Sequence, residues 1–262
     1  MEREKRDIGR HPIVSPSAND PVSRGHMESM VRCLDSILAL AGLEDFPKTQ
    51  SLPSKLFEHF SDALKSYDQY IEHVLSADKW EVQCSKGCSR CCEHELARGI
   101  SVLEALNIYR WVRPWAQIES IYENCGENSV AFQKLLAEEL RTKPGRLTPD
   151  DARVTTAHIK YNRLKRPCPF LDQDQGACAI YAVRPMVCRY FFSLSPPEWC
   201  DPDHESYLDR DARGIDPHQE VKTRMAVIDA KLGVKALNFL AGAFVLIAGD
   251  FMQGRPLTET DD

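Results

Sequence analysis

Residues 84–95 read CSKGCSRCCEHE and place four cysteines within nine positions: Cys84, Cys88, Cys91 and Cys92. Sulfurs in such a pattern belong to a metal site, a redox-active dithiol or a disulfide framework. The amino terminus, MEREKRDIGRHPIVSPSANDPVSRG, is charged and has no apolar stretch typical of a secretory signal. Because the cytosol keeps thiols reduced, we expect a cytoplasmic protein whose cysteines bind metal or act chemically instead of forming disulfides.

A second cysteine group lies in residues 168–200, with Cys168, Cys178, Cys188 and Cys200. The surrounding residues 166–214 are rich in Pro and Asp and lack helical periodicity, so a bound metal would contribute directly to their folding. The two groups supply seven to eight candidate ligands, enough for two metals. Short C-x2-4-C spacings are typical of zinc, but the longer gaps also suit iron–sulfur ligation, so the spacing leaves the metal open.

Adjacent Cys91 and Cys92 point in different directions on almost any backbone. One of them can therefore bind a metal while the other packs in the fold or serves a second ion. We expect residues 84–92 and 168–188 to converge on one metal centre. A dithiol redox protein would need a C-x2-C pair at a helix start in a βαβ setting, and the pattern around residues 88–91 lacks that setting.

Apolar side chains recur at helical spacing through most of the chain, and start and stop residues bound the predicted helices. These helices cover residues 27–41, 54–75, 101–113, 129–141, 148–164 and 216–232. Ser101 and Glu104 form a capping-box pattern, and Thr148 is the expected cap of the fifth helix. The apolar residues 236–249 are too few to span a bilayer and contain Asn238, so we expect a buried core or interface helix.

The sequence therefore predicts a mainly α protein: a helical domain with a loop-rich, metal-organised cysteine core and at most short strands. We expect residues 1–26 to be a flexible segment and residues 27–262 to form a single domain, with metal-binding elements at 84–92 and 168–200 separated by a helical insert at 100–164. A net charge of −6 disfavours nucleic acid as a partner. The sequence predicts no membrane span, and it indicates neither the oligomeric state nor a specific partner.

Two resemblances bear on function. The spacing C-x3-C-x2-C of the first three cysteines resembles radical S-adenosylmethionine enzymes, but those enzymes place the motif after the first strand of an α/β barrel, whereas a helical stripe precedes it here. CSKGCSRCC together with CPFLDQDQGACAIYAVRPMVCRYF resembles the YkgJ-like, or CxxCxxCC, cysteine-cluster family, over about residues 80–195. The matching positions are Cys84, Cys88, Cys91, Cys92, Cys168, Pro169, Phe170, Leu171, Cys178, Ile180, Tyr181, Arg184, Pro185, Cys188 and Arg189.

The CxxCxxCC resemblance implies chelation of zinc or iron. Flagellin lysine N-methylases are among the family's members, which implies that some relatives use an iron–sulfur cluster and S-adenosylmethionine. Two kinds of function stay open for this chain: a redox or group-transfer enzyme that uses iron, and a binding or scaffold module tied together by structural zinc. The sequence names no catalytic residue, and no glycine-rich methyltransferase loop follows a strand.

The sequence also suggests roles for residues next to the cysteines and for the cysteines outside the two groups. Arg184 and Arg189 flank Cys188, so their charge can stabilise a thiolate-rich cofactor or hold a substrate carboxylate, or Arg184 can pair with Asp172 or Asp174. His94 can replace a cysteine as ligand, but a solvated loop histidine is the expectation. Cys200 lies beyond the family resemblance and is either an eighth ligand or a surface thiol. Cys33 and Cys125 are expected to be small hydrophobic side chains outside the site.

Overall fold

The structure is a computed structural model that describes residues 13–14, 20–84, 87–147, 151–235 and 238–260. It is mainly α-helical with short strands in small sheets, which confirms the predicted fold class. The helices are α1 (Pro21–Leu38), α2 (Phe46–Thr49), α3 (Ser54–Ala77), α4 (Val102–Val112), α5 (Ile118–Thr142), α6 (Ala152–Asn162), α7 (Met186–Tyr190), α8 (Gln219–Leu232) and α9 (Leu240–Gln253). The strands are β1 (Ile13–Val14), β2 (Ser51–Pro53), β3 (Leu171–Asp172), β4 (Ala177–Cys178), β5 (Phe191–Ser193), β6 (Ala212–Ile215) and β7 (Thr258–Thr260).

Helices α1 and α3 pack along each other and form one side of the hydrophobic core. Helix α1 begins at Pro21 instead of residue 27, because the Asp20 side chain accepts a hydrogen bond from the Val22 N–H (3.1 Å) and proline suits the first helical turn. Residues 21–26, which we expected to be flexible, are therefore helical. The rest of that predicted segment, apart from the backbone of β1, lies outside the described residues.

Helix α4 carries the predicted capping box, since Ser101 and Glu104 hydrogen-bond each other's backbone N–H groups. The second Glu104 oxygen accepts the N–H of Met186 (2.7 Å), so the same buried carboxylate joins α4 to the segment that carries Cys188. Asp229 of α8 accepts the N–H groups at the start of α4 as well. The start of α4 is thus a junction between the helical core and the second cysteine segment.

Helix α5 is longer than the sequence prediction and begins at Ile118 instead of residue 129. Its buried face includes Asn128 and Ser129, and these polar residues interrupt the apolar stripe on which the prediction relied. Helix α6 is capped by Asp151, whose side chain accepts the Arg153 N–H (2.9 Å). The predicted cap at residue 148 lies outside the described residues.

Helix α9 is buried along most of its length and packs against α4 and α5, which agrees with the predicted core helix. It continues beyond the apolar residues 236–249 and ends at Gln253. Within the described ranges, no helix is long and apolar enough to cross a membrane.

The cysteine segments are held by small sheets instead of helices. Strand β5 pairs antiparallel with β6, and β3 pairs antiparallel with β4 so that Leu171 lies opposite Cys178. Strand β1 pairs parallel with β6, and β2 pairs parallel with β7. The first two pairings fix the residues on either side of α7 and thereby position the second cysteine group.

We predict that replacing Glu104 with alanine lowers the free energy of unfolding by about 3 kcal/mol, because it leaves the buried N–H groups of Ser101 and Met186 without their acceptor. Glu104→Gln, which keeps one acceptor oxygen, is expected to lose less. Denaturant unfolding measures both, with the exposed helical substitution Glu123→Ala as the control. A Glu104→Ala protein as stable as this control would contradict the role assigned to the carboxylate.

Candidate metal centre

The two cysteine segments meet through backbone hydrogen bonds. The N–H of Cys168 donates to the carbonyl of Cys92 at 2.7 Å, which joins the first cysteine of the second segment to the last of the first. A second bond joins the Gln83 N–H to the carbonyl of Ser193 at 2.9 Å, at the end of β5. The structure therefore brings together residues that are separated by more than seventy positions in the chain, while their convergence on one metal centre stays a prediction.

Four thiols form a first thiol set: Cys84, Cys88, Cys91 and Cys200. Cys84 and Cys88 hydrogen-bond each other through their side chains. The Ser193 N–H donates to the Cys84 sulfur at 3.1 Å, and the Ser193 side chain is also within hydrogen-bonding reach of Cys200. Cys91 is exposed as a residue, but desolvation of its thiol raises the pKa, followed by the charges of Glu95, Cys200, Cys92 and Cys88. Cys200, which the sequence left as a ligand or a surface thiol, is buried beside this set.

Within the first set, Cys88 stands apart in its acidity. The hydrogen bond from Cys84, together with the N–H and charge of Arg90, lowers the pKa of Cys88 to about 6 against the opposing effect of desolvation. The same hydrogen bond and burial raise the pKa of Cys84. Cys88 is also exposed to solvent. One thiolate of this set is therefore formed and accessible near neutral pH.

The other four thiols form a second thiol set: Cys92, Cys168, Cys178 and Cys188. Burial raises the pKa of Cys92, and the charges of Cys168 and Cys178 raise it further. Cys188 is exposed as a residue, but desolvation of its thiol raises the pKa, with added effects from Cys168, Cys92 and Cys178. Each of these two thiols thus responds to the charges of neighbouring members of its own set.

Two members of the second set lie at the ends of the β3–β4 hairpin, where backbone donors point at sulfur. The Phe170 N–H donates to Cys168, whose pKa burial nevertheless raises to about 12. The Ile180 N–H donates to Cys178 in the same way, two residues beyond the cysteine. Hydrogen bonds from N–H groups favour a thiolate over a thiol, because the charged sulfur is the stronger acceptor.

The two sets adjoin each other at Cys91 and Cys92. Cys88 influences both of these neighbours, and Cys92 influences Cys91, but Cys200 acts only on Cys91, and Cys168 and Cys178 act only on Cys92. The side chains do not form a closed coordination shell: among the residues that the structure describes, no three Cys, His, Asp or Glu side chains are placed to hold one ion. The arrangement is two neighbouring groups of thiols without a completed cage.

The two remaining cysteines were predicted to be small hydrophobic side chains outside the site. Cys125 is fully buried on α5, where desolvation and then the charge of Cys168 raise its pKa well above the usual value. Cys33 is half-buried on α1. Both behave as small hydrophobic side chains.

His94 differs from the prediction, because it is buried and not a solvated loop residue. Its ring packs edge-on against Tyr207 with centroids 6.2 Å apart, and desolvation lowers its pKa. The glutamates on both sides of His94 suggested solvent exposure. However, Glu95 packs against the protein, where its carboxylate lies 3.1 Å from the His158 ring nitrogen, and the adjacent His94 packs beside it.

Glu95 is the centre of a polar cluster beside the first thiol set. Its carboxylate accepts a hydrogen bond from Asn162 (2.9 Å) and lies 3.1 Å from the His158 ring nitrogen and 4.0 Å from Arg210. Asn162 also donates to the Tyr207 hydroxyl at 3.1 Å. Burial disfavours the charged carboxylate, but His158, Arg210 and the nearby imidazole outweigh it and lower the pKa of Glu95 to about 2. Glu95 is therefore a permanent negative charge near neutral pH.

Sequence reasoning missed this Glu95 cluster because its members come from three separate segments: the first cysteine loop, α6 and the residues after Cys200. No spacing or motif connects them along the chain. Only the acidic and imidazole pattern EHE at residues 93–95 marked one of the three segments, and it marked that segment as solvated.

The two arginines that the sequence linked to a cofactor occupy different environments. Arg189 is buried and donates to Asp68 and to the carbonyls of Arg184 and Ala182, so the protein itself engages its donors. Arg184 lies over the Tyr181 ring, 3.6 Å from the ring centroid, and its nearest carboxylate is Asp68 at 4.0 Å. The alternative pairing of Arg184 with an acidic neighbour in the β3–β4 turn is therefore wrong.

Comparison with known proteins gives a family match for the part of the chain that holds both cysteine segments. No curated protein and no solved structure matches the chain significantly. Residues 83–212, about half of the chain, match the model of a family named CxxCxxCC and described as "Putative zinc- or iron-chelating domain". The match extends beyond the expected end of the resemblance and includes Cys200. Residues 83–212 of this chain, which contain both thiol sets, therefore belong to the CxxCxxCC family of zinc- or iron-chelating domains.

Proposed function

We propose that the protein binds two metal ions, zinc or iron, one in each thiol set. The observation that carries this proposal is that the Cys92 carbonyl accepts the Cys168 N–H at 2.7 Å, which joins Cys92 to the second segment. The adjacent Cys91 is influenced by Cys200 of the first set, although Cys88 influences both cysteines. Four thiols in each set match the number of ligands that a tetrahedral zinc site or a cysteine-bound iron centre requires. The proposal replaces the single centre expected from the sequence with two neighbouring ones.

The candidate ligands are cysteine thiols, which bind soft metals such as zinc and iron as thiolates. Cys88 is exposed with a lowered pKa, and Cys168 and Cys178 already accept N–H hydrogen bonds that favour thiolates. The remaining thiols have raised pKa values and must lose their protons as the metal binds, so metal binding releases protons and couples to closure of the loops. Such closure is required here, since the described side chains do not yet surround an ion.

The short helices and strands of the second cysteine segment support a structural role for the metal. Residues 166–214 contain only short helices and strands, so their tertiary contacts alone offer little to offset the entropy of ordering them. Two metals would tie this stretch to the first cysteine loop at the point where the backbone bond between Cys168 and Cys92 already joins them.

A second candidate function is a redox or group-transfer enzyme with iron, including an iron–sulfur cluster, at the first thiol set. The Glu95 cluster favours it, because two imidazoles, a carboxylate and a guanidinium beside an accessible thiolate are groups that catalysis uses. We do not extend the proposal to S-adenosylmethionine, since the described strands are too short to form a nucleotide-binding sheet. Both functions need reduced thiols and so a reducing compartment such as the cytosol.

We predict that protein purified anaerobically contains close to two equivalents of zinc or iron per chain. Removing the metal with a chelator is expected to lower the unfolding temperature and the ordered content of the loops, because binding energy is then lost from folding. Elemental analysis with an assay for acid-labile sulfide measures the content and distinguishes isolated ions from iron–sulfur clusters. Less than a tenth of an equivalent of any metal would contradict the proposal.

The adjacent cysteines provide a matched pair of substitutions. We expect Cys91→Ser to lose one equivalent of metal from the first set, and Cys92→Ser to lose one equivalent from the second, because each removes one of four ligands. Alkylation of the remaining thiols followed by mass spectrometry identifies which cysteines each protein leaves unprotected. Cys33→Ser, outside both sets, is the control and should keep both metals.

The two-site proposal is contradicted if Cys91→Ser and Cys92→Ser lose metal from the same cysteines. If Cys91→Ser and Cys92→Ser expose the same set of cysteines, the eight thiols act as one centre. If one of the two substitutions leaves the metal content at the control value, that cysteine is not a ligand.

A further inference from the structure

Residues 255–260 follow α9, include β7 and lie against the helical core; we call them the tail segment. Strand β7 pairs parallel with β2. Leu257, just before β7, is buried in the hydrophobic core, and Glu259 is half-buried. Thr258 and Thr260 are exposed. Side chains at alternate positions therefore face the protein, as they do in a peptide that binds by adding a strand to a sheet.

The carboxylate of Glu259 lies between two arginines of α4. The Arg110 Nε and Nη2 atoms each donate to one of its oxygens at 2.9 Å, and the Arg113 Nη2 atom donates at 2.9 Å as well. The Arg110 hydrogen bonds, together with the charges of both arginines, lower the pKa of Glu259. A bidentate arginine–carboxylate pair is geometrically specific, so this position selects an acidic side chain.

Backbone groups of the tail segment are bound too. The Thr258 N–H donates to the Gln50 carbonyl at 3.0 Å, and the Arg113 Nη1 atom donates to the Leu257 carbonyl at 3.0 Å. Main-chain bonds of this kind hold an extended segment, while side chains at alternate positions select its sequence. The surface formed by β2, Gln50, Arg110 and Arg113, which we call the tail groove, therefore fits an apolar residue two positions before an acidic one.

The tail groove carries more positive charge than its occupant neutralises. Within the described part of the chain, Glu259 is the one carboxylate that pairs with Arg110 and Arg113. The Arg110 guanidinium is also held over the Phe57 ring, 4.8 Å from its centroid, which fixes its position. Two fixed guanidiniums that share one carboxylate attract further negative charge, so the groove favours segments more acidic than the tail.

The tail segment is attached to the helices by a short connection. Helix α9 gives way to Gly254, where an added Cβ would lie 2.7 Å from the Asp250 carbonyl oxygen, so glycine alone fits this exit from the helix. Residues 254–256 are exposed, and Arg255 donates to the Lys48 carbonyl at 3.0 Å. A pair of three-residue strands is marginal by itself, so we expect the tail to detach locally without unfolding of the core.

We propose that the tail groove binds an extended, acidic segment of a partner protein by strand addition, and that the tail segment occupies the groove as a built-in competitor. Because the tail is attached to the protein, its effective concentration at the groove is high, on the order of millimolar for a short linker. The identical tail of a second copy has no advantage over it. A more acidic segment does, because it neutralises more of the charge of Arg110 and Arg113. The inference does not depend on the metal sites.

Releasing the tail in the full-length protein tests the proposal. Glu259→Arg adds a third cation to the groove and is expected to expel the tail while leaving Arg110 and Arg113 in place. The probe is an amidated peptide with the sequence of residues 254–260, labelled with fluorescein, and fluorescence anisotropy measures its binding. We expect it to bind Glu259→Arg about 10-fold or more tightly than the unchanged protein, because the competing tail is removed. Glu123→Arg makes the same charge change on the exposed face of α5 and should bind like the unchanged protein.

Variants of the peptide test which contacts select it. Glu259→Gln in the peptide removes the charge that the two arginines bind, and Leu257→Ser removes the buried apolar side chain. Each is expected to weaken binding to the tail-released protein about 10-fold or more. Raising the salt concentration should weaken the original peptide more than the glutamine peptide, because only the original pairs a carboxylate with the groove.

Thr258→Pro provides a second way to release the tail, without a change of charge. It removes the N–H that Gln50 accepts and is expected to raise affinity for the peptide as Glu259→Arg does. Circular dichroism and the unfolding temperature show whether the released proteins keep their helices. If both variants unfold, β7 is an obligatory part of the core and the proposal is wrong.

Two binding results would overturn the proposal: a peptide that binds Glu259→Arg no better than Glu123→Arg, or a glutamine peptide that binds as tightly as the original. Sedimentation of the unchanged protein at increasing concentration tests the other occupant, the tail of a second copy. We expect no dimer that depends on the tail. A dimer that Glu259→Arg abolishes would show that the groove takes the tail of a second copy, and the assignment to a different protein would be wrong.

Discussion

The peptide bond between Cys91 and Cys92 is the constraint on which the rest of the site depends. Consecutive side chains in this short turn diverge, so the two thiols enter different groups, one with Cys200 and one with Cys168. The backbone bond from Cys168 to the Cys92 carbonyl then fixes the second segment against this turn. This turn is the basis of our proposal of two neighbouring metal-thiolate sites instead of one shared centre.

Two carboxylates, the buried Glu104 and the half-buried Glu95, join the cysteine segments to the helical framework. Glu104 joins the start of α4 to the segment of Cys188, and Glu95 joins the first cysteine loop to α6 and to Arg210. Each carboxylate satisfies donors from separate parts of the chain, so the loops gain fixed positions without long helices or strands of their own. The helical insert therefore contributes to the site through α6, and not only as a spacer between two cysteine motifs.

The sequence was sufficient for features that are local or repetitive. The capping box at Ser101, the core character of α9 and both cysteine groups follow from periodicity and composition. The start of α5 was missed because Asn128 and Ser129 interrupt its apolar stripe, and the burial of His94 depends on Glu95 meeting α6, which is a tertiary contact. The assignment of each cysteine to a set is likewise a property of three-dimensional packing that spacing does not encode.

Extended X-ray absorption at the edge of the bound metal tests the central claim most directly. For an anaerobically prepared protein with two zinc or iron atoms per chain, the account predicts an average of four sulfur neighbours per metal, at about 2.3 Å for zinc. A first shell with fewer than four sulfurs, completed by nitrogen or oxygen ligands, would contradict it. Such a result would mean that His94 or another side chain binds metal in place of a cysteine.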